Sequence, residues 1–351
     1  MKAAFLTEPK ELEARDIPEP QCPDDGLVLK IVVCGICGSD IRRWREGPPA
    51  GTDGVIPGHE ATGIVTQVGQ KCALFNTGDR LAIAPDVHCD KCYFCERQLY
   101  NLCDNLKLVG ITPGYPGGFA EKLVLTGEIL GKGIVHKIPE GLSYEHAAVS
   151  EPGSSVLATH SKAGTQIGET VVIIGAGPTG CLHIAVAKER GAKVIVAQRS
   201  KTRQELAMRF DPDQIIDATT EDVVECVKAF TNGLGADIVI CANPVAETQK
   251  QAVEMVRKGG KVMLFGGLPK ADPMTHMDGN KIHYGEVEVI GAFSYHPRFH
   301  QEALDRLAQG TLPAERLITH QFPLDEINQA YETASTGKAL KVIITIEKEQ
   351  S

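Results

Sequence analysis

Residues Thr170 to Gly180 read TVVIIGAGPTG, a short apolar run that ends in a glycine-rich turn. The next segment, CLHIAVAKERG, has the texture of a helix, and AKVIVAQ (Ala192 to Gln198) that of a second buried strand. The alternation continues through ADIVICA (Ala236 to Ala242), the helical ETQKQAVEMVRKGG and the strand KVMLFGG. Buried strands alternating with helices predict a parallel sheet with right-handed crossovers, an α/β fold. Gly175, Gly177 and Gly180 carry a G-x-G-x-x-G spacing, with Pro178 and Thr179 inside it. Between a strand and a helix this spacing has a physical meaning. The first glycine permits a tight turn, the second lets a pyrophosphate approach the backbone, and the third lets helix and strand pack closely. The helix N-terminus then attracts the phosphates. The stretch reads as a dinucleotide site.

The end of the second strand bears on which dinucleotide. NAD sites usually place a carboxylate there, accepting hydrogen bonds from the ribose hydroxyls. Here the chain runs Ala197, Gln198, Arg199, Ser200, with Arg203 a little further on. A carboxylate repels a 2′-phosphate, whereas a guanidinium pairs with it in a fork, so this stretch favours NADP over NAD. NAD stays open if Gln198 bonds the ribose and Arg199 is only a solvated charge.

Upstream of Glu151 the texture differs. Short apolar runs, LVLKIVV (Leu27 to Val33), GIVTQVG (Gly63 to Gly69) and DRLAIAP (Asp79 to Pro85), are punctuated by turn residues and predict a β-rich domain. A chain of 351 residues exceeds the size at which one core keeps growing. The expected division is 1–153 for the β-rich domain and 154–294 for the dinucleotide domain. Residues 295–351, with the amphipathic HQEALDRLAQG and the strand KALKVIITI, return to the first domain. Hydrophobic content of 42% and charged content of 23% are those of a soluble globular protein. A net charge of −9 argues against nucleic acid or an anionic membrane surface as partner. No apolar run is long enough to span a bilayer, and MKAAFLTEPKE is broken by Glu8, Pro9 and Lys10, unlike a secretory signal. Eleven cysteines, odd in number and unevenly placed, do not form a disulfide framework. A reducing, cytoplasmic setting is expected.

Four of those cysteines, Cys89, Cys92, Cys95 and Cys103, lie in CDKCYFCERQLYNLC. The C-x2-C-x2-C-x7-C spacing lets four thiolates close tetrahedrally on one soft ion. A bacterial iron–sulfur motif has its fourth cysteine after three residues and followed by proline. Here seven residues intervene and Asp104 follows, so a structural zinc is favoured over a cluster or disulfides. A closed four-thiolate site leaves no position for a substrate, and the chemistry must lie elsewhere. Cys37 in GICGSD, His59 and Glu60 in PGHE, and Glu151 in EPGSS make a plausible open zinc site. Taken singly, each has a bland reading as a core cysteine, a satisfied loop histidine or a helix-start charge.

Together, GICGSD, PGHE, the four-cysteine lobe, EPGSS and GAGPTG resemble the zinc-containing medium-chain dehydrogenase/reductase superfamily over nearly the whole chain. Alcohol dehydrogenases of that superfamily carry a third ligand cysteine where this chain has Glu151. That carboxylate, Gly-Ser-Asp after Cys37 and HYGEVEVIGAF from His283 are similar to the sorbitol (polyol) dehydrogenase branch. The resemblance implies a GroES-like catalytic domain, a Rossmann domain and two zinc ions per chain. It makes Cys37 and His59 ligands of the catalytic zinc, with Glu60 and Glu151 as direct and water-mediated carboxylates in an order left open. Ser39 matches the hydroxyl that passes the alcohol proton onward. The implied reaction interconverts a secondary alcohol of a polyol or sugar alcohol, phosphorylated or not, and its ketone, with hydride exchanged with NAD(P). Threonine or simple-alcohol specificity on the same scaffold is an alternative. So is a nucleotide-binding protein that has lost catalysis, although the intact Cys37, Ser39, His59 and Glu60 speak against it.

One departure stands out. Family members often carry a histidine three residues after that serine, where this chain has Arg42, and an arginine does not exchange protons near neutral pH. Arg42, with Arg43 and Arg45, reads as a solvated run or as an anion site for a phosphorylated or acidic substrate. Trp44 walls the substrate or packs in the core. Tyr295, His296 and Arg298 are further candidates for the substrate site. The resemblance also implies a homodimer or homotetramer, with the segment Val287 to Phe293 as an edge strand that pairs with its copy, and an apolar edge of this kind needs covering.

Overall fold

A computed structural model describes residues 1–52 and 54–346. The chain forms two compact units, residues 1–154 with 295 onward, and residues 155–294.

The second unit is built on a parallel six-stranded sheet. Its strands lie in the order Gln214–Asp217, Lys193–Gln198, Thr170–Ile174, Ala236–Cys241, Val256–Leu264, Glu288–Gly291, and every neighbouring pair is parallel. The order grows one way from Thr170–Ile174 and then the other, which opens a crevice beyond the carboxyl ends of the central strands. Thr170–Ile174 is buried throughout, as its unbroken apolar run requires. The helix Pro178–Glu189 is apolar on nearly every face and buries most of its residues.

Two boundaries differ from the sequence expectation. The helix ending in RKGG stops at Met255, and the strand begins at Val256. Ala236 pairs with Val256 and Ile238 with Lys261, so Arg257 to Gly260 bulge out of the ladder, with Gly259 at φ +64°. A glycine pair fits a bulge better than a helix end here, because the left-handed conformation costs glycine little. The edge strand spans only Glu288–Gly291, shorter than the apolar run suggested.

Helix Pro178–Glu189 also buries a histidine. Neither ring nitrogen of His183 has a hydrogen-bond partner among the described residues, and Phe265 meets its ring edge-on at 4.7 Å. His160, whose ring lies 5.2 Å away, bonds Thr165 Oγ1 through Nδ1 at 2.8 Å. Burial drives the His183 imidazole down to about 3. It also drives His160 well below its ordinary value, helped by His183 and Arg190.

The first unit holds an eight-stranded sheet. Its main path runs Ile318–Pro323, Lys341–Thr345, Leu27–Gly35, Glu60–Val68, Arg80–Val87 and Lys107–Leu108. Lys122–Leu125 pairs with Leu27–Gly35, and Gly133–Lys137 with Arg80–Val87. Lys341–Thr345, late in the chain, pairs antiparallel with the end of Leu27–Gly35. The core gathers Leu27, Leu29, Ile31, Ile83, Phe119 and Tyr331. A second buried histidine cluster lies in this unit. His300 Nδ1 meets His136 Nδ1 at 2.9 Å, and its Nε2 meets Ser150 Oγ at 3.0 Å. Burial, then His136, pushes His300 well below its ordinary value.

Candidate active site

Cys37 occupies the N-cap of the helix Gly38–Glu46, and Asp40 in the first turn reaches back to accept its backbone N–H at 2.9 Å. His59 and Glu60 arrive at the start of the strand Glu60–Val68, beside Gly35 of the neighbouring strand. Two glycines make room for them. Gly58 has φ +95°, and a Cβ on it would lie 2.8 Å from Cys34 Sγ. A Cβ on Gly35 would stand 2.0 Å from Glu60 Oε2, so any side chain there would expel the carboxylate.

These loops bring ligand atoms of Cys37, His59 and Glu60 within 4.8 Å of one another. Ser39 Oγ lies 3.5 Å from His59 Nε2. Asp40 Oδ1 lies 3.4 Å from His59 Nδ1, close enough for its charge to act although no hydrogen bond forms. Burial opposes protonation of His59, yet Asp40 and Cys37 outweigh it and raise the imidazole well above its ordinary value. The site therefore attracts positive charge, and a thiolate, an imidazole and a carboxylate are the donors a divalent zinc takes.

Glu151 stands apart from this trio. Its Oε1 accepts a 2.9 Å hydrogen bond from the Tyr295 hydroxyl. Burial raises its carboxyl to about 7, opposed by His59 and supported by Glu60. Glu60 has a different partner, the buried Lys341, whose Nζ donates to Oε1 and Oε2 at 2.7 Å each. Sequence reasoning gave no role to Asp40 or Lys341. The one available signal was a lysine at the head of an otherwise apolar strand.

The expected substrate residues have different surroundings. Trp44 is 5% exposed and packs in the core, 5.9 Å from Tyr331, as its packing alternative requires. Arg42 and Arg45 are exposed, whereas Arg43 donates to the Ile111 carbonyl at 2.8 Å. His296 stacks at 5.2 Å on Tyr100, and Arg298 lies over Phe299.

The four cysteines of the lobe also converge. Cys92 Sγ and Cys95 Sγ are 3.5 Å apart, and Cys89 Sγ and Cys95 Sγ 4.0 Å. Ligand sulfurs about 3.8 Å apart are what tetrahedral zinc with bonds of about 2.3 Å requires. Backbone amides of Cys89 and Asn105 donate to Cys103 Sγ at 3.3 Å. The Lys91 amide draws the Cys89 thiol down to about 6, while burial pushes Cys103 up to about 12. Four thiolates need a cation to coexist here. The lobe has no apolar core to replace it, since Tyr93, Leu99 and Leu102 are exposed. Cys95→Ser is expected to remove one zinc and lower the melting temperature by on the order of 10 °C. Metal analysis and a thermal melt check this, and an unchanged melt would show that the metal does not hold the lobe.

In the second unit, Gly175 has φ +104°, and a Cβ on Gly180 would lie 2.0 Å from the Gly175 carbonyl. Gly177 caps the helix that Pro178 begins, and Thr179 follows in its first turn. The Arg203 guanidinium comes within 3.4 Å of a Cβ placed on Gly177, so it reaches the phosphate turn. The Gln198 side chain turns back to accept the Arg199 amide at 2.8 Å, and Ser200 Oγ caps the helix Lys201–Ala207. Asp217, paired in register with Gln198 on the adjacent strand, accepts from Thr219 Oγ1 at 2.5 Å.

The comparisons with known proteins agree with this geometry. Residues 23–140 match the alcohol dehydrogenase GroES-like domain and residues 178–309 the zinc-binding dehydrogenase domain. The chain is 32% identical to D-arabitol-phosphate dehydrogenase of Enterococcus avium, over 95% of this chain and 94% of that protein. It is also 32% identical to sorbitol dehydrogenase of Bacillus subtilis (strain 168), over 98% of this chain and 97% of that one. A protein of Sinorhizobium meliloti 1021, described as a zinc-binding dehydrogenase and solved bound to NADP, superposes with a TM-score of 0.90 at 31% identity. That match covers 98% of this chain and 99% of the other.

Proposed function

The chain belongs to the zinc-containing medium-chain dehydrogenase/reductase superfamily, in its polyol dehydrogenase branch, and from that footing we propose that it interconverts a secondary alcohol of a polyol, free or phosphorylated, and the matching ketone. Zinc and NAD(P) are its cofactors. The observation that carries the reading is the convergence of Cys37, His59 and Glu60 in a chain that also has an intact dinucleotide turn.

Zinc bound there supplies Lewis acidity to the substrate oxygen. The remaining work belongs to side chains. The Asp40 charge acts on His59 from 3.4 Å, and the Tyr295 hydroxyl holds Glu151 by a hydrogen bond. Ser39, 3.5 Å from His59 Nε2, both donates and accepts, and so takes the first step in carrying the alcohol proton away. With Arg42 in place of a histidine, that proton leaves by way of water or the cofactor ribose. Arg203 over the phosphate turn and Gln198 in place of an acid favour NADP. Among the described residues no helix is long and apolar enough to cross a membrane. We place the enzyme in the cytoplasm as a dimer or tetramer, with the short edge strand Glu288–Gly291 and exposed Phe293 as its pairing surface.

A substrate panel run with both cofactors tests this reading. Hexitols, pentitols, their phosphates, acidic sugars and threonine belong in it. A polyol or its phosphate should turn over best, with NADP preferred by at least about tenfold, roughly 1.4 kcal/mol. Arg42→Ala should raise KM for phosphorylated substrates alone if the exposed arginines form an anion site. A tenfold preference for NAD would refute the cofactor assignment, and no turnover with any polyol would refute the substrate class.

A further inference from the structure

The second unit holds a cavity that the dinucleotide turn does not use. Its volume is about 260 Å³. Residues 233–235, just before the strand Ala236–Cys241, form one wall, and 255–258, where the strand Val256–Leu264 opens, form another. Lys281, Tyr284 and Val287, ahead of the edge strand, complete it. These three segments stand at the amino ends of their strands, whereas the phosphate turn at Gly175 follows the carboxyl end of Thr170–Ile174. In a parallel sheet those are opposite poles, so the cavity is a separate place and not an extension of the dinucleotide crevice.

Its charge is one-sided. Lys228, Arg257, Lys258 and Lys281 line it, and Glu254 is the one acid among the described lining residues. Part of that charge is met nearby. Lys228 pairs with Glu225 at 3.0 Å, Arg257 with Asp237 at 2.6 Å, and Glu254 with Lys250 at 3.8 Å. Lys258 and Lys281 form no ion pair among the described residues. Lys281 is half-buried, and its ammonium donates to the Glu254 carbonyl. An ammonium has three donors, so two are left for a ligand. Burial and then the charge of Lys228 draw the Lys281 pKa below the ordinary lysine value, with Glu254 and Asp278 acting the other way. Two lysines thus feel each other's charge in one cavity, and an anion bound there relieves it. The remaining walls are apolar. Val256 and Val287 are buried, while Leu234 and Tyr284 are 67% and 75% exposed.

The walls therefore suit a ligand with a charged end and an apolar body. A phosphate group carries a charge of about −1.5 to −2 at neutral pH and offers three acceptor oxygens, which matches a cluster of ammonium groups better than a single carboxylate does. We propose that this cavity is a second ligand site, which binds a small organic phosphate monoester with its phosphate at Lys281 and Lys228 and its carbon part against Leu234 and Tyr284. The site shares no residue with the zinc or dinucleotide machinery and stands whichever alcohol the enzyme oxidises.

Calorimetric titration of the full-length zinc enzyme, saturated beforehand with NADP so that the phosphate turn is filled, tests the site. The probes are phenyl phosphate and inorganic phosphate. Phenyl phosphate should bind with a Kd of about 1 mM or tighter, and inorganic phosphate at least about tenfold more weakly. Lys281→Met should weaken phenyl phosphate about tenfold, the usual worth of one charge-assisted hydrogen bond, and leave kcat/KM for the polyol unchanged. Lys228→Met, on a more exposed side chain, should give a smaller loss in the same direction and serves if the Lys281 variant does not fold. No binding to the wild type, equal affinity for the two probes, or wild-type affinity in whichever variant folds overturns the site.

Discussion

Replacing Cys37 by serine is expected to lower kcat/KM by about a thousandfold or more and to remove one of two zinc ions, leaving the fold in place. A metal that polarises the substrate oxygen contributes several kcal/mol, and about 4 kcal/mol is three decades in rate. Cys37 is the only thiol in the Cys37, His59, Glu60 group, and it sits at the N-cap of the helix Gly38–Glu46. A serine hydroxyl stays protonated at neutral pH and is a far weaker zinc donor. The capping bond from the Cys37 amide to Asp40 is a backbone contact and survives the change. Zinc per chain, kcat/KM and the thermal midpoint together decide the point. Retention of both ions with activity within tenfold of wild type would mean that the catalytic metal is held elsewhere. Loss of both ions would show that the lobe and the catalytic site are not independent.

Acid should destabilise this protein unusually early. His160, His183 and His300 are fully buried, and burial holds all three below the ordinary histidine value. Each is neutral when folded and takes up a proton near pH 6.5 when unfolded. Their contribution to stability is therefore complete above pH 6.5 and is lost as pH falls below it. By pH 5 His183 alone costs about 2 kcal/mol, and His160 and His300 add to it in the same direction. Glu151 acts in the opposite sense, since its folded carboxyl sits near 7 and takes up a proton before the unfolded one does. It offsets part of that loss, which is to be set against a total stability of roughly 5–15 kcal/mol. The melting temperature should drop by on the order of 10 °C between pH 7 and pH 5. Acid also strips zinc, and a second variant separates the two causes. His183→Leu removes one buried imidazole without touching a metal ligand, and it should flatten the pH dependence by about a third of the histidine share. A slope identical to wild type would assign the acid sensitivity to the metal sites instead.

Local, repeated patterns made most of the architecture readable from sequence. The run into Gly175-Ala-Gly177 needs a tight turn whatever surrounds it, and four cysteines within one short segment can reach one ion without help from the rest of the chain. Groups defined by long-range contact were not readable. Lys341 and Glu60 are 281 residues apart, and nothing in either neighbourhood announces the other. Trp44 sits in a polar helix among arginines, and only the fold shows that its ring turns inward onto Tyr331. The segment after Met255 carries good helix formers, but its register with Ala236–Cys241 and the glycine pair at 259 and 260 turn it into a bulged strand. Propensity lost there to pairing with strands on both sides.

The strand Lys341–Thr345 also sets a timetable for biosynthesis. Residues 155–294 hold their whole sheet in one continuous stretch, so that unit can fold as it leaves the ribosome. The β-rich unit cannot. Until Lys341 emerges, Leu27–Gly35 lacks its late partner and Glu60 is a buried acid without a counter-ion. Nascent chains thus lack the strands Ile318–Pro323 and Lys341–Thr345 through most of translation, so the β-rich unit is completed only after residues 155–294 have been made.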